Sequence, residues 1–260
     1  MSASNLRCSI EAGIAEIVVQ RPTVLNALNR DTLRELDALL DTLAADDAVR
    51  VLLLTGEGEK AFVAGADIKE LAENSALESN RHAQMGQAVM DKLEQLGKPS
   101  VAAINGFALG GGLELALACT LRVASSNAML GLPEITLGII PGFGGTQRLS
   151  RLVGRGRAMH MILTGRAISA EQAERYGIVA EVVEQAELLA RARKLASVLA
   201  RHSAVTMRLA EETVRGGFEM PIAEALAYEA SQFGLAAAAE DYSEGMQAFL
   251  EKRKPSFRHR

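Results

Sequence analysis

Ala103-Ile104-Asn105-Gly106-Phe107-Ala108-Leu109-Gly110-Gly111-Gly112-Leu113-Glu114-Leu115-Ala116 is an apolar, glycine-rich run whose only charge is Glu114. Outward from it, the 49 residues between Lys98 and Arg148 hold three charges: Glu114, Arg122 and Glu134. Glu134 sits in a second apolar turn, Gly131-Leu132-Pro133-Glu134-Ile135. A carboxylate rarely stays in such surroundings unless it is paired, hydrogen-bonded or protonated. Burial raises its pKa toward neutrality, which suits a group that exchanges protons near pH 7. One such acid reads equally well as a loop brace or a helix cap. Two of them, each beside a glycine turn, favour an acid–base pair.

Val101 to Cys119 is long enough to raise a membrane helix. Asn105, Glu114 and the glycines at 106 and 110–112 argue instead for a buried strand, a loop and a helix over Gly111–Ala118. Gly110-Gly111-Gly112 leaves backbone N–H groups open at the positive end of that helix, where an anionic oxygen can bind. A tight turn under a packed helix is an equal reading of the triple glycine alone. Ala64-Gly65-Ala66-Asp67 is a second small-residue loop after a strand, able to offer another N–H. Two N–H groups converging on one oxygen make an oxyanion hole. Asp67 reads as the N-cap of the turn that follows.

The rest of the chain divides in two. Alternating residues predict a hairpin over Leu6–Glu11 and Ile14–Gln20, and Leu33, Leu36, Leu40 and Leu43 mark a helix with Asp31 as its N-cap. Short strands are expected at Val51–Leu54, Ala61–Val63, Pro99–Ile104, Leu121–Ala124, Ala128–Leu130 and near Ile178–Val183, with a helix over Asn80–Gln95. Gly142-Phe143-Gly144-Gly145 opens a helix at Thr146–Leu152, and helical patterns then dominate to Glu251. We expect an α/β part over residues 1–195 and an all-helical part over 196–260.

The 260 residues are 48% apolar, enough for a large core, and the net charge of −4 argues against general nucleic-acid binding. The stretch Lys252–Arg260 is locally basic; it reads as a solvated end or as a contact for a phosphorylated ligand. Two distant cysteines, Cys8 and Cys119, suggest a reducing, cytoplasmic setting. Met1–Arg7 lacks the pattern of a signal peptide. Phosphate-loop, dinucleotide, zinc and serine-elbow motifs do not occur. The histidines, His82, His160, His202 and His259, are scattered and receive no role. Paired acids could mean a glycosidase, but the chain has no Trp and three Tyr to form a sugar platform.

The chain resembles the enoyl-CoA hydratase/isomerase (crotonase) superfamily. The resemblance is carried by Ala103–Ala116 and by Pro133-Glu134-Ile135-Thr136-Leu137-Gly138-Ile139-Ile140-Pro141-Gly142-Phe143-Gly144-Gly145-Thr146-Gln147-Arg148-Leu149. Arg21-Pro22 with Leu25–Leu28, Ala61–Glu70 and Glu244–Lys254 extend it over the whole length. It implies a spiral of ββα turns with a helical C-terminal region that mediates homotrimers, often stacked as homohexamers. The implied ligand is an acyl-coenzyme A thioester. By motif, the N–H groups of Ala66 and Gly111 are expected to hold the thioester oxygen. Ala64, Ala66, Asp67, Ile68, Lys69, Gly111 and Gly142 are expected to line the substrate site, with Gly142 helping to place a water. Phe249 and Lys252 match positions that reach coenzyme A across a subunit interface.

Glu114 and Glu134 fall where hydratases of this superfamily carry their catalytic acids. The implied activity is therefore reversible hydration of 2-enoyl-CoA thioesters, without metal or redox cofactor, membrane or nucleic-acid partner. Double-bond isomerisation, hydration of branched or aromatic-pathway acyl groups, and non-catalytic acyl-CoA or RNA binding stay open. The chain departs from the family pattern at Thr23, where Lys is common, and at Leu113 and Leu132, which replace Cys and Gln beside the two acids.

Overall fold

The computed structural model describes residues 5–259. Met1–Ser4, the start of the segment read for a signal peptide, and Arg260 of the basic tail lie outside the described residues. The chain opens with β1 (Leu6–Glu11) and β2 (Ile14–Val19), an antiparallel hairpin, followed by α1 (Arg30–Ala45). Then come β3 (Val51–Gly56), β4 (Ala61–Val63), α2 (Ile68–Ala72), α3 (Ala76–Glu94), β5 (Ser100–Ile104), β6 (Phe107–Leu109) and α4 (Gly111–Ala118). β7 (Leu121–Ser125) and β8 (Met129–Gly131) lead to α5 (Gly145–Val153) and α6 (Arg155–Thr164). β9 (Ile168–Ser169), α7 (Ala170–Tyr176), β10 (Glu181–Val183) and the helices α8 (Leu188–Leu199), α9 (Ala204–Phe218), α10 (Ile222–Ala237) and α11 (Glu240–Leu250) complete it.

The strands form two sheets, β1-β2-β3-β5-β7-β10 and β4-β6-β8-β9. Three successive turns of chain repeat one path. β3, β5 and β7 enter the larger sheet, β4, β6 and β8 enter the smaller one, and each turn then returns through helix. This is the ββα spiral that the family resemblance implies.

The apolar runs are continuous because both faces of the larger sheet are covered. Alternate residues serve different cores. Val51, Leu53, Val101, Ala103 and Val123 pack against Leu188, Ala192 and Ala196 of α8. Leu52, Leu54, Ala102, Ile104 and Ala124 face the main core with the leucines of α1 and with Val89, Met90 and Leu93 of α3. Residue 195 thus lies inside α8, a helix whose buried face belongs to the sheet.

Three local readings change. α1 is capped by Asn29, not Asp31: Asn29 has extended backbone and its Oδ1 accepts the Thr32 N–H at 2.8 Å. Asp31 lies in the first turn, where its charge complements the helix dipole. The strand β6 and the short helix α2 sit where the sequence suggested only loop and turn, because three- and five-residue elements carry too little periodicity.

Candidate active site

β4, β6 and β8 are parallel neighbours, with Leu109 opposite Gly131. Their carboxyl ends therefore deliver three loops to one place, where open α/β sheets commonly bind ligands. β4 runs into Ala64–Asp67, β6 into Gly110 and α4, and β8 into the 3-10 turn Glu134–Leu137. Gly110 N–H donates to Gly131 O at 2.9 Å and ties the second loop to the third.

In the first loop, Ala64 N–H donates to Leu25 O at 3.0 Å and Asp67 N–H to Leu28 O at 2.8 Å, while Gly65 O accepts the Leu28 N–H at 2.8 Å. The Ala66 N–H is left without a protein acceptor among the described residues. Asp67 is the cap expected: Oδ1 accepts the Lys69 N–H at 3.3 Å, and Oδ2 pairs with the half-buried Arg21 at 3.1 Å. Gly111 is the first residue of α4, so its N–H lies beyond the helix's own ladder. A Cβ at Gly111 would lie 3.5 Å from the Ala66 nitrogen, so the two amides lie side by side. Ile68 and Lys69 are exposed just beyond.

Glu114 lies one turn into α4 and is 1% exposed. Its Oε1 accepts the N–H groups of Phe143 at 2.8 Å and Gly145 at 2.7 Å. Burial pushes its pKa up to about 7; the Glu134 charge adds to the rise, while the two amides and Arg148 oppose it. Glu134 is 9% exposed, and its Oε2 is buried without a hydrogen-bond partner. Burial pushes this acid up to about 7 as well. The two acids therefore share a site but not an environment: Oε1 of Glu114 takes two amide donors from another loop, whereas Oε2 of Glu134 takes none and only the residue's own backbone N–H opposes the rise.

Glycines make the room. Gly110 has φ +50°, and a Cβ there would lie 2.7 Å from Glu134 Oε1. A Cβ at Gly86 of α3 would lie 2.1 Å from the Phe143 ring, so that ring fills the notch left in the helix. Gly142 sits beside it, its carbonyl held by Gln87 Nε2 at 2.9 Å. The donors Phe143 and Gly145 and the notch at Gly86 were not singled out from the sequence. The only signal was the glycine cluster at 142–145. Phe249, 82% exposed, and the exposed Lys252 lie at the C-terminal end of α11. No hydrogen bond or ion pair joins either to the loop Ala64–Lys69 among the described residues.

Residues 9–260 match the sequence profile described as enoyl-CoA hydratase/isomerase. The chain belongs to that family. It is 46% identical to the short-chain-enoyl-CoA hydratase of Clostridium acetobutylicum, over 98% of this chain and 97% of that protein. It is 45% identical to the crotonyl-CoA hydratase of Syntrophomonas wolfei, over 99% of each. The crystal structure of an enoyl-CoA hydratase from Bacillus anthracis superposes with a TM-score of 0.95, at 41% identity, covering 98% of this chain and all of that one.

Within this family member, Leu113 and Leu132 are both fully buried. A Cβ at Gly145 would lie 3.1 Å from Leu132 Cδ2, so Leu132 forms an apolar wall beside the Glu114 carboxylate. A separate groove of about 1040 Å³ is lined by Arg148, Arg151, Leu152, Val214 and Phe218 and contains neither glutamate. No helix among the described residues is long and apolar enough to cross a membrane.

Proposed function

We propose that this protein is a cytoplasmic enoyl-CoA hydratase that adds water reversibly across the 2,3 double bond of short-chain 2-enoyl-CoA thioesters. The observation that carries the reading is the unequal pair of buried acids beside two adjacent backbone amides. Water attacking C3 drives charge through C2 onto the thioester oxygen. The N–H groups of Ala66 and Gly111, at the positive end of α4, stabilise that enolate-like charge. The Phe143 and Gly145 amides favour the ionised form of Glu114, which deprotonates the water. Glu134, buried with its Oε2 unpartnered, favours its protonated form and delivers the proton to C2. Dehydration exchanges the roles. No metal or redox cofactor takes part.

Ala64, Asp67, Ile68, Lys69 and Gly142 would line the coenzyme A and acyl site, and Phe249 and Lys252 of a neighbouring subunit would complete it. The exposed apolar side chains Val214, Phe218, Ile222 and Phe233 on α9 and α10 support a homotrimer or homohexamer. The test is loss of the enoyl-thioester absorbance of crotonyl-CoA. Steady loss with formation of 3-hydroxybutyryl-CoA is expected; unchanged absorbance with saturable acyl-CoA binding would leave a binding protein.

A further inference from the structure

Both amides that hold Glu114 come from one short loop, and that loop is itself held by a cation. Phe143 and Gly145 give their N–H groups to Glu114 Oε1, while the Phe143 carbonyl accepts from Arg148 Nη1 at 3.1 Å. Arg148 lies in the first turn of α5, and its side chain is 13% exposed. Its Nε donates to Glu94 Oε2 at 2.9 Å; its Nη2 pairs with the same oxygen at 2.8 Å and with Asp91 Oδ1. Both acids belong to α3, the helix whose Gly86 receives the Phe143 ring and whose Gln87 holds the Gly142 carbonyl. All three guanidinium nitrogens are thus committed, Nε and Nη2 to α3 and Nη1 to the loop. A rigid planar fork can make such a set at once; a single ammonium cannot. Arg148 lines the groove that contains neither glutamate, and no hydrogen bond joins it to Glu114 or Glu134 among the described residues. Its charge still reaches Glu114. Burial raises the Glu114 pKa to about 7 and the Glu134 charge adds to the rise, while the Gly145 and Phe143 amides and the Arg148 cation pull the other way.

We propose that Arg148 is a positioning residue for hydration: tethered to Asp91 and Glu94 of α3, it holds the Phe143 carbonyl so that the Phe143 and Gly145 N–H groups stay on Glu114 Oε1. The inference rests on the hydratase reading of the site, with Glu114 as the base. A loop free to turn would leave a buried carboxylate with weaker donors, so it would be less ionised at neutral pH and less well aimed at the water. Displacing a catalytic group by about 1 Å can cost about 10²-fold in rate. Loosening two donors without removing them should cost less. Nothing in this role involves contact with the substrate, so binding should be spared.

Arg148→Met and Arg148→Lys test the tether against wild type, with crotonyl-CoA kinetics across pH on protein shown to be folded. Arg148→Met should lower kcat by about tenfold at the wild-type optimum, with KM changed by less than about twofold. The acid limb of its kcat profile should move to higher pH, because Glu114 loses both a cation and well-aimed donors. Arg148→Lys keeps the charge without the fork and should fall between the two in kcat and in the limb. The Glu114 carboxyl carbon, isotope-labelled and assigned by its loss in Glu114→Gln, should show the same upward move in an NMR titration. A lower Tm with an unmoved limb and an unmoved carboxyl titration makes Arg148 a brace of the fold and overturns the proposal. A raised KM with unchanged kcat overturns it too. If Arg148→Met fails to melt cooperatively, Arg148→Lys decides: wild-type kcat and limb overturn the proposal, and a lower kcat with a raised limb supports it. If the wild-type protein does not hydrate crotonyl-CoA, the carboxyl titration decides alone; an upward move then supports the tether and removes only the hydratase reading.

Discussion

Gly145 donates its backbone N–H to Oε1 of Glu114 at 2.7 Å, and a Cβ on Gly145 would lie 2.8 Å from Glu114 Cγ and 2.9 Å from that same Oε1. The first helical residue of α5 thus holds the candidate base by contact as close as backbone allows. Gly145→Ala should displace the carboxylate and lose its better donor. We expect kcat for crotonyl-CoA to fall by about 10²-fold, the range of a mispositioned catalytic group, with a smaller change in KM. Equal loss in Gly144→Ala, whose neighbour is the flexible Arg148 side chain, would point to loop disruption in general.

Glutamine keeps the shape of each acid and removes its proton chemistry. Glu114→Gln and Glu134→Gln should each lower kcat by at least about 10²-fold. The double variant should lose less than the product, because in the proposed mechanism the two residues act on one water and one substrate. Exchange of the C2 proton with deuterated solvent should fall most in Glu134→Gln. Loss in only one variant would favour a single-acid isomerase.

Both acids are pushed up to about 7 by burial. The proposed mechanism needs Glu114 ionised, so rate is lost as pH falls through its pKa; it needs Glu134 protonated, so rate is lost as pH rises through its own. The kcat profile should be a narrow bell centred near 7, with limbs that belong to the coupled pair. Stability follows the opposite convention. A carboxyl whose folded pKa lies above its unfolded one favours the fold at low pH and penalises it above the folded value. The double glutamine variant should therefore gain Tm over the wild type by about 2–4 °C at pH 8. The gain should shrink toward pH 5, as differential scanning fluorimetry can read.

Gly111 and Gly112 are adjacent and should fail differently. A Cβ at Gly112 would lie 1.9 Å from the Val63 carbonyl oxygen, a backbone atom that cannot yield. Gly112→Ala should cost about 3 kcal/mol or more in chemical denaturation. At Gly111 the Cβ would press on the Phe143 ring at 3.2 Å. Gly111→Ala should fold and lose kcat, and Gly111→Pro, which deletes the N–H, should lose more. A folded Gly111→Pro enzyme with near-normal kcat would remove this half of the oxyanion hole.

The C-terminal segment is tied to its own subunit by Asp241, a buried carboxylate that accepts the backbone N–H groups of Arg258 at 2.6 Å and His259 at 2.9 Å. Deleting residues 249–260 should raise KM for crotonyl-CoA more than it lowers kcat, and should also lower Tm because Asp241 is left unpaired. Asp241→Asn separates the two effects: it should lower Tm with KM little changed. Unchanged KM in a still-oligomeric truncation would take Phe249 and Lys252 out of the site.

Local pattern alone determined much of this protein. The leucines of α1, the apolar strands β3 and β5 and the helix after Gly110 are legible because side-chain periodicity and glycine conformational freedom act within a few residues. The two acids are conspicuous for a similar reason: an isolated charge in an apolar run is costly wherever the chain goes. What the sequence could not determine is how the acids differ. Glu114, the candidate base, is held by amides 29 and 31 positions away, and Oε2 of Glu134 is buried without a partner. The fit of Phe143 into the notch at Gly86, and the unpaired imidazole of His82 behind it, likewise arise only when α3 packs over the glycine loops. Hydrogen bonds and burial between distant segments are properties of packing. They shift the acids' pKa values, and no window along the chain contains them.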